Sequence, residues 1–508
     1  MVSNPIVTGS SPLSTLVTSD FWGVPLSHAG SHKSYRPLTS LSFRLDWILG
    51  PGSPFQFHLT NLLLHAFATH LFHIFLLSLL RYVYPSLYPR SSRKETVTYI
   101  SSCPTALTAS LLFATHPIHS EAVAGIVGRA EILSAVFFLL TLLVQRRQGW
   151  SVRASLLAAA ATLAKEQGVT VLGVCFVLEL VGRQGGANKR SLLQILLTLV
   201  AILSLRAAAL GGHLPTFSKA DNPASHSSSL LTRSLTFLHL PAQNAWLLLC
   251  PTKLSFDWSM DALPLVTSLI DPRNIFSLIF YGIMTSLSLP LLTLLPISFH
   301  SFKPFLHRGR QFPSPRPTQH GLSCGPSLAL ALSLIVLPFL PATNLFFYVG
   351  FVLAERLLYL PSLGFSLLVA LGLQKLSQSK PRFAAVGFLL VLITGSLRTL
   401  VRNKDWSSEE TLFSSGVNIN PAKSLSNLGT VLHNQGKVDL AEAVFREALV
   451  HRGNMADTHY NLGILLQGQG RHVEATKAYT AATRFVPLPL PPNFLFTKIS
   501  GPPGTAFL

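Results

Sequence analysis

The sequence predicts an all-α membrane protein, a polytopic helical bundle followed by a short helical solenoid. Three observations carry that reading. The 508 residues are 49% hydrophobic and only 12% charged, with a mean hydropathy of +0.44, too apolar for a chain whose whole surface meets water. Apolar runs suited to crossing about 30 Å of hydrocarbon recur through the first 400 residues. Beyond Trp406 the text turns polar and repeats itself.

Residues 1–57 read as a polar loop carrying the motif His32-Lys33-Ser34-Tyr35-Arg36-Pro37. The opening MVSNPIVTGSSPLST has neither the basic nor the apolar region of a signal peptide, and an upstream segment is expected. A domain of about ten spans follows over 58–400, near 58–80, 104–116, 128–144, 153–164, 167–182, 191–210, 274–299, 326–341, 357–373 and 383–400. The stretch 234–250, interrupted by His239, Pro241, Gln243 and Asn244, reads as interfacial or re-entrant, as does the short 261–270.

The formal net charge of +19 raises nucleic acid as a partner, but the basic residues gather in alternate loops. These hold Arg81, Arg90, Arg93 and Lys94; Arg146, Arg147 and Arg153; Arg183, Lys189 and Arg190; Lys303, Arg308, Arg310 and Arg316; and Lys375, Lys380 and Arg382. By the positive-inside rule that side is cytosolic. Residues 1–57, 211–273 and everything after about 401 then face the lumen or exterior, and no nucleic-acid partner is expected. Cys103, Cys175, Cys250 and Cys324 lie far apart and read as packing residues.

After a linker at 401–422, Asn427-Leu428-Gly429 recurs as Asn461-Leu462-Gly463, Gly436 as Gly470, Ala441 as Ala475, Phe445 as Tyr479 and Ala448 as Ala482. Each offset is 34 residues, the tetratricopeptide period, with Pro487 where a closing proline belongs. Two repeats over 423–486 are followed by a Pro-rich, non-repeat tail at 487–508. Such units present a concave surface to peptide or protein.

In so apolar a chain the ionisable residues are the informative ones, because charge at membrane depth is costly and is paired or functional. His32–Pro37, His116–Glu121 continuing to Arg129 and Glu131, Lys165–Gly168, Phe256–Asp261 and Ala354–Arg356 all map to the luminal side. Lys165/Glu166 and Glu355/Arg356 read either as structural ion pairs at span ends or as site residues. His65, His70 and His73 read as hydrogen-bonding groups between helices, and Asp257 with Trp258 as an interfacial anchor. His116 and His119 are separated by Pro117 and lack a third ligand, so no metal is expected. Arg36 has the strongest functional case, since Arg pairs bidentately with phosphate. No P-loop, GxSxG, HExxH or dinucleotide fingerprint occurs in a supporting context.

The segments DFWGVPLSHAGSHKSYRPLTSLSFRL (20–45), LLFATHPIHSEAVAGIVGRAEILSAVFFLL (111–140), LAKEQGVTVL (163–172), RSLTFLHLPAQNAWLLLCPTKLSFDWSMDALPLV (233–266) and LPFLPATNLFFYVGFVLAERLLYLPSLGF (337–365) resemble the transmembrane and tetratricopeptide-repeat-containing protein O-mannosyltransferases. The resemblance covers roughly 10–486 and implies a GT-C-type bundle in the endoplasmic reticulum membrane, multi-pass, with luminal repeats. It further implies transfer of mannose from dolichyl phosphate mannose to Ser or Thr of secretory-pathway proteins such as cadherins, with no cofactor besides the lipid-linked donor. Carried over by motif, Arg36, Lys165 and Arg356 are candidates for the donor phosphate, and Glu121, Arg129 and Glu131 for catalysis. Family members have a first span, a luminal loop with an acidic pair and further repeats outside the matched region, and the chain is expected to lack these. The alternative to an enzyme is a truncated luminal scaffold binding client proteins through its repeats. A transporter is disfavoured because the halves show no internal symmetry.

Overall fold

In a computed structural model of the chain, residues 3–28, 30–83, 103–181, 188–212, 217–294 and 325–485 are described. The basic residues expected in 84–102, 182–187 and 295–324, together with Cys324, Pro487 and the tail, lie outside them. No β-strand forms among the described residues beyond an isolated bridge between Ser19 and Pro25.

Each of the ten predicted spans is mainly helical where it is described, whereas the short stretch 261–270 forms no helix. The elements are α1 (Pro37–Leu49), α2 (Pro54–Val83), α3 (Pro104–Ala114), α4 (Arg129–Gln148), α5 (Val152–Ala164), α6 (Val171–Val181), α7 (Lys189–Ala209), α8 (Leu230–Leu249), α9 (Arg273–Ser288), α10 (Gly325–Phe339), α11 (Pro361–Ser379) and α12 (Pro381–Asp405). Among the described residues, six helical stretches are by themselves long and apolar enough to cross a membrane: Pro54–Leu80, Ile126–Gln148, Lys189–Ala209, Arg273–Leu291, Gly325–Ala342 and Pro381–Asp405. The remaining four expected spans are helical but shorter, interrupted or more polar. α3 and α5 are 11 and 13 residues, α6 follows a 3-10 turn at Glu166–Thr170, and α11 turns polar from Gln374 and Lys375 to its end at Ser379.

The core joins α2, α3, α4, α6, α10 and α11 through Phe72, Phe75, Phe113, Phe138, Leu330 and Leu363. α7, α9 and α12 wrap the outside. The most apolar window of α4 is 72% buried, whereas those of α9 and α12 are 6% buried. Leu278, Ile279, Leu389, Leu390 and Ile393 are exposed there, the outward face that hydrocarbon rather than water covers. Close crossings inside the bundle depend on small residues, as expected where lipid offers no hydrophobic drive between helices. A Cβ on Gly364 of α11 would lie 2.3 Å from the Ala331 carbonyl oxygen on α10.

The uncertain stretch 234–250 makes up most of α8, a continuous helix through Pro241 whose polar Thr232, Thr236, His239 and Asn244 turn inward. Its Leu231, Leu238, Trp246 and Leu249 are exposed, an inside-out pattern that suits a helix against lipid.

One buried charge ties three elements of the bundle together. The Arg129 side chain, at the start of α4, is fully buried. Its Nε donates to Asn61 Oδ1 (2.7 Å) and its Nη2 to the Phe57 carbonyl (2.8 Å) on α2. Its Nη1 pairs with Asp46 of α1 at 2.5 Å, and the guanidinium lies over the Phe43 ring.

The stretch 401–422 is not an extended connector. α12 runs on to Asp405, and α13 (Glu409–Gly416) caps the helices that follow, α14 (Pro421–Asn434), α15 (Val438–His451), α16 (Ala456–Gly468) and α17 (His472–Arg484). These are two antiparallel hairpins, and their 34-residue offset has a steric cause. Gly429 faces Phe445 and Gly463 faces Tyr479, where a Cβ would sit 2.7 and 2.6 Å from the ring. Gly436 and Gly470 end α14 and α16 with φ of 77° and 76°, a backbone conformation glycine adopts without strain. Such geometry accords with tetratricopeptide units.

Two measurements check this packing. Arg129→Met strands the Asp46 carboxylate in the bundle, and thermal unfolding of the detergent-purified chain should register a loss of about 3–5 kcal/mol; an unchanged melting point contradicts the clamp. Gly429→Val overpacks the first hairpin by about 1–3 kcal/mol, so hydrogen exchange should speed up across 421–484 and stay unchanged in α4.

Candidate active site

The polar motifs converge at the end of the bundle where α4 begins. Asp20 builds the loop that delivers the first cation. Its carboxylate, 1% exposed, accepts from Trp22 N (2.9 Å), Val24 N (3.0 Å), Ser31 Oγ (2.8 Å) and His32 N (3.1 Å). That compact turn leads into Arg36, which precedes Pro37 and therefore stays out of the helix. Thr39 Oγ1 donates to the Ala164 carbonyl (2.7 Å), pinning the start of α1 to the end of α5. Arg36 thereby meets the Lys165-Glu166 turn.

That turn is held tight by Gly168, where a Cβ would come 2.2 Å from the Ala161 carbonyl oxygen. Gln167 Nε2 anchors it to the Pro338 carbonyl (2.5 Å) and the Leu357 carbonyl (3.2 Å). Lys165 and Glu166 are consequently aimed apart and do not pair with each other. Glu166 accepts from Arg36 Nε (3.0 Å) and Arg206 Nη2 (2.9 Å), whereas Lys165 Nζ turns inward to Glu131.

Glu355 and Arg356 diverge in the same way. Arg356 donates its backbone N–H to Glu121 Oε2 (2.8 Å) and Nη1 to Glu121 Oε1 (3.1 Å), with Nε 3.5 Å from Glu131. Glu355, fully buried, accepts instead from Ser255 N (2.6 Å) and Trp258 Nε1 (3.0 Å). Its second oxygen has no hydrogen-bond partner among the described residues. Both sequential pairs thus exchange partners across the fold, so neither is an isolated ion pair at a span end.

Four cations, Arg36, Lys165, Arg206 and Arg356, therefore surround three carboxylates, Glu121, Glu131 and Glu166. Arg36 and Arg356 both lie within electrostatic range of Lys165, so the three residues assigned by motif to a phosphate share one field. The cluster opens outward through Arg356 and Glu166, whose side chains are 42% and 32% exposed. Lys165 and Glu131 form its floor at 6% and 2%. Burial pushes the Glu121 carboxyl above its ordinary value, although the Arg356 guanidinium and N–H oppose the shift. A carboxylate so placed is a stronger base than one in water.

Of the residues expected at a site, the structure brings Arg36, Glu121, Glu131, Lys165 and Arg356 together. Arg129 stands apart, sealed in its clamp with Asp46. Arg206, inside the apolar text of α7, completes the cluster; an isolated charge in a span was its one sequence signal. His116 Nε2 faces the Leu248 carbonyl (3.0 Å) and His119 Nε2 faces Ser362 Oγ (2.8 Å). His65 Nδ1 faces Tyr359 Oη (2.7 Å) and His73 Nδ1 faces Ser110 Oγ (3.3 Å), bridges of the expected kind, whereas His70 is exposed. Among the described residues no three His, Cys, Asp or Glu side chains converge as metal ligands.

The loop that Glu355 grips also carries the repeats. Trp258 is buried against Leu247, Leu254, Leu353 and Leu358, so it is a core residue rather than a surface anchor. Phe256, two residues earlier, meets Phe413 of α13 at 5.0 Å between ring centroids. Asn420 Nδ2 donates to the Ser259 carbonyl (3.0 Å), and Arg452 Nη1 pairs with Asp261 at 2.5 Å. Residues 255–261 are thus shared by the charged cluster and the hairpins.

The family model described as "Protein O-mannosyl-transferase TMTC, DUF1736" matches residues 211–285, which span α8, the shared loop and much of α9. The chain is 39% identical to human protein O-mannosyl-transferase TMTC2 over 90% of its own length and 60% of the relative's. It is 39% identical to Drosophila melanogaster protein O-mannosyl-transferase Tmtc1, covering 91% of the chain and 59% of the relative, and 37% identical to mouse TMTC3, covering 97% and 52%. The chain therefore spans about 60% or less of the length of these relatives. No solved structure matches. With likeness of this extent running through the bundle, the loop and the hairpins, the chain belongs to the TMTC family of protein O-mannosyl-transferases.

Proposed function

We propose that the chain is a protein O-mannosyltransferase of the endoplasmic reticulum membrane, moving mannose from dolichyl phosphate mannose to Ser and Thr hydroxyls of secretory-pathway proteins, cadherins among them. The observation that carries this reading is the cluster of four cations and three carboxylates at one end of an otherwise apolar bundle, beside the loop that holds the hairpins. The positive-inside pattern supports placing that end in the lumen.

The transfer has two electrostatic requirements. The acceptor oxygen attacks C1 of the mannose, the bond from C1 to the phosphate oxygen breaks with its electron pair going to the phosphate, and the hydroxyl proton goes to a base. Arg36, Lys165 and Arg356 are assigned to the phosphate, where fixed cations stabilise the leaving charge. Glu121 is the base in this reading. In the unliganded cluster it is tied up by Arg356; a phosphate arriving at Arg356 competes for that guanidinium and frees a Glu121 oxygen for the acceptor hydroxyl. Glu131 positions both Lys165 and Arg356. The hairpins present the acceptor protein, and the exposed apolar helices offer a path for the prenyl chain.

The reading is tested by expressing the chain in cells lacking this enzyme family and measuring mannose on a cadherin ectodomain by intact mass. Arg356→Ala should lower the transfer rate about 10²–10³-fold, the usual cost of removing one stabiliser of developing charge. Glu121→Gln should lower it about 10²–10⁴-fold. Because the base works deprotonated and burial raises Glu121 above 4.5, the rate should fall as pH drops through a value above 4.5, and the residual rate of Glu121→Gln should lack that limb. A chain that binds cadherin yet transfers nothing overturns the enzyme reading in favour of the scaffold.

A further inference from the structure

None of the groups assigned to the phosphate or the proton comes from the shared loop, yet that loop sends one carboxylate to the rim of the cluster. Glu355 holds the loop on both sides of Asp257, through Ser255 N (2.6 Å) and Trp258 Nε1 (3.0 Å). Residues 255–258 are thereby laid against Glu355 and Arg356. Phe256 turns to Phe413, and Trp258 into the apolar core around Leu254 and Leu353. Asp257, between them, lies within electrostatic range of Arg356. The two are not in contact, and Asp257 forms no ion pair among the described residues.

The Asp257 side chain is fixed before any ligand arrives. Its Oδ1 accepts from Ser259 N (2.6 Å), and its backbone carbonyl accepts from Ser255 Oγ (3.0 Å). Its Oδ2 makes no hydrogen bond among the described residues and is not sealed in the interior, since the residue is only half-buried. Arg356 has no need of this further carboxylate, because Glu121 accepts from its Nη1 and Glu131 faces its Nε.

A carboxylate beside a phosphate site repels the bare anion. It becomes useful where hydroxyls lie between the two, because an ionised carboxylate can only accept and a hydroxyl makes a short, charge-assisted bond to it. In a glycosyl phosphate the ring hydroxyls stand one sugar away from the phosphorus, which suits a carboxylate near Arg356 but out of contact with it.

We propose that Asp257 is the sugar-recognising residue of the cluster, its Oδ2 accepting hydrogen bonds from the mannose hydroxyls away from C1, an inference that rests on the donor phosphate lying at Arg356. The carboxylate then acts twice. It holds the sugar-bearing donor, and it repels the more highly charged phosphate monoester left after transfer.

Affinities of the detergent-purified full chain for dolichyl phosphate mannose and for dolichyl phosphate separate this role from a structural one. Asp257→Asn keeps an oxygen for Ser259 N and puts an amide donor in place of Oδ2. It should weaken the mannosyl lipid about tenfold, the worth of one charge-assisted hydrogen bond, while dolichyl phosphate binds as before or more tightly. Asp257→Ala, which brings in no amide, should show the same split, whereas Arg356→Gln should weaken both lipids. Equal loss of both lipids in the two Asp257 variants overturns the proposal, since the residue then acts through Arg356 or the loop. An unchanged affinity for the mannosyl lipid overturns it too. A wild-type chain that holds neither lipid overturns the phosphate site itself, and the sugar contact with it.

Discussion

Arg356 is the residue through which the bundle, the charged cluster and the shared loop are joined. Its backbone N–H and guanidinium satisfy Glu121, its Nε reaches Glu131, and its chain neighbour Glu355 takes both N–H donors of the loop at Ser255 and Trp258. The physical constraint behind this is the cost of burying charge. A carboxylate left without its partner in a dry interior costs about 3–5 kcal/mol, so Glu131 at the start of α4 and Glu121 in the short turn before it can stay buried only while cations face them. Each cation that meets this need also serves as a candidate phosphate ligand, which is why one arrangement can be both structural support and binding site.

The same constraint fixes where the hairpins sit. With Ser255 and Trp258 held by Glu355, the intervening Phe256 is turned toward Phe413, and Asp261 toward Arg452. The hairpins are then not tethered by a free linker, since α12 continues without a break to Asp405 and α13 packs on α14. An acceptor bound by the hairpins would stand at a defined distance from the cluster. Such fixed placement is how a protein substrate gains effective concentration at a reacting group.

Much of this was legible in the sequence, and the limits have physical reasons. The spans were readable because lipid demands long apolar runs, and the hairpins because Gly429 and Gly463 must be small where Phe445 and Tyr479 cross them. The interruptions in 234–250 read as an interfacial or re-entrant stretch, and only the fold shows a continuous helix that turns those polar residues inward. Pairing was not legible. Lys165 and Glu166 are adjacent in the chain yet bond residues 34 and 130 positions away, and Glu355 and Arg356 reach back 100 and 235 positions. Nothing local encodes such contacts. Arg129 was misleading for the same reason: beside Glu131 in the text, it belongs to α1 and α2 in space.

The central claim, that the cluster at the start of α4 receives a lipid-linked phosphate, is tested most directly by the affinity of the detergent-purified chain for dolichyl phosphate. The account predicts that Arg36→Gln, Arg206→Gln and Arg356→Gln each weaken binding about tenfold, the loss of one charge-assisted hydrogen bond, while Arg147→Ala at the far end leaves it unchanged. Unaltered affinity in all three cluster variants, with the loss appearing in Arg147→Ala instead, would contradict it.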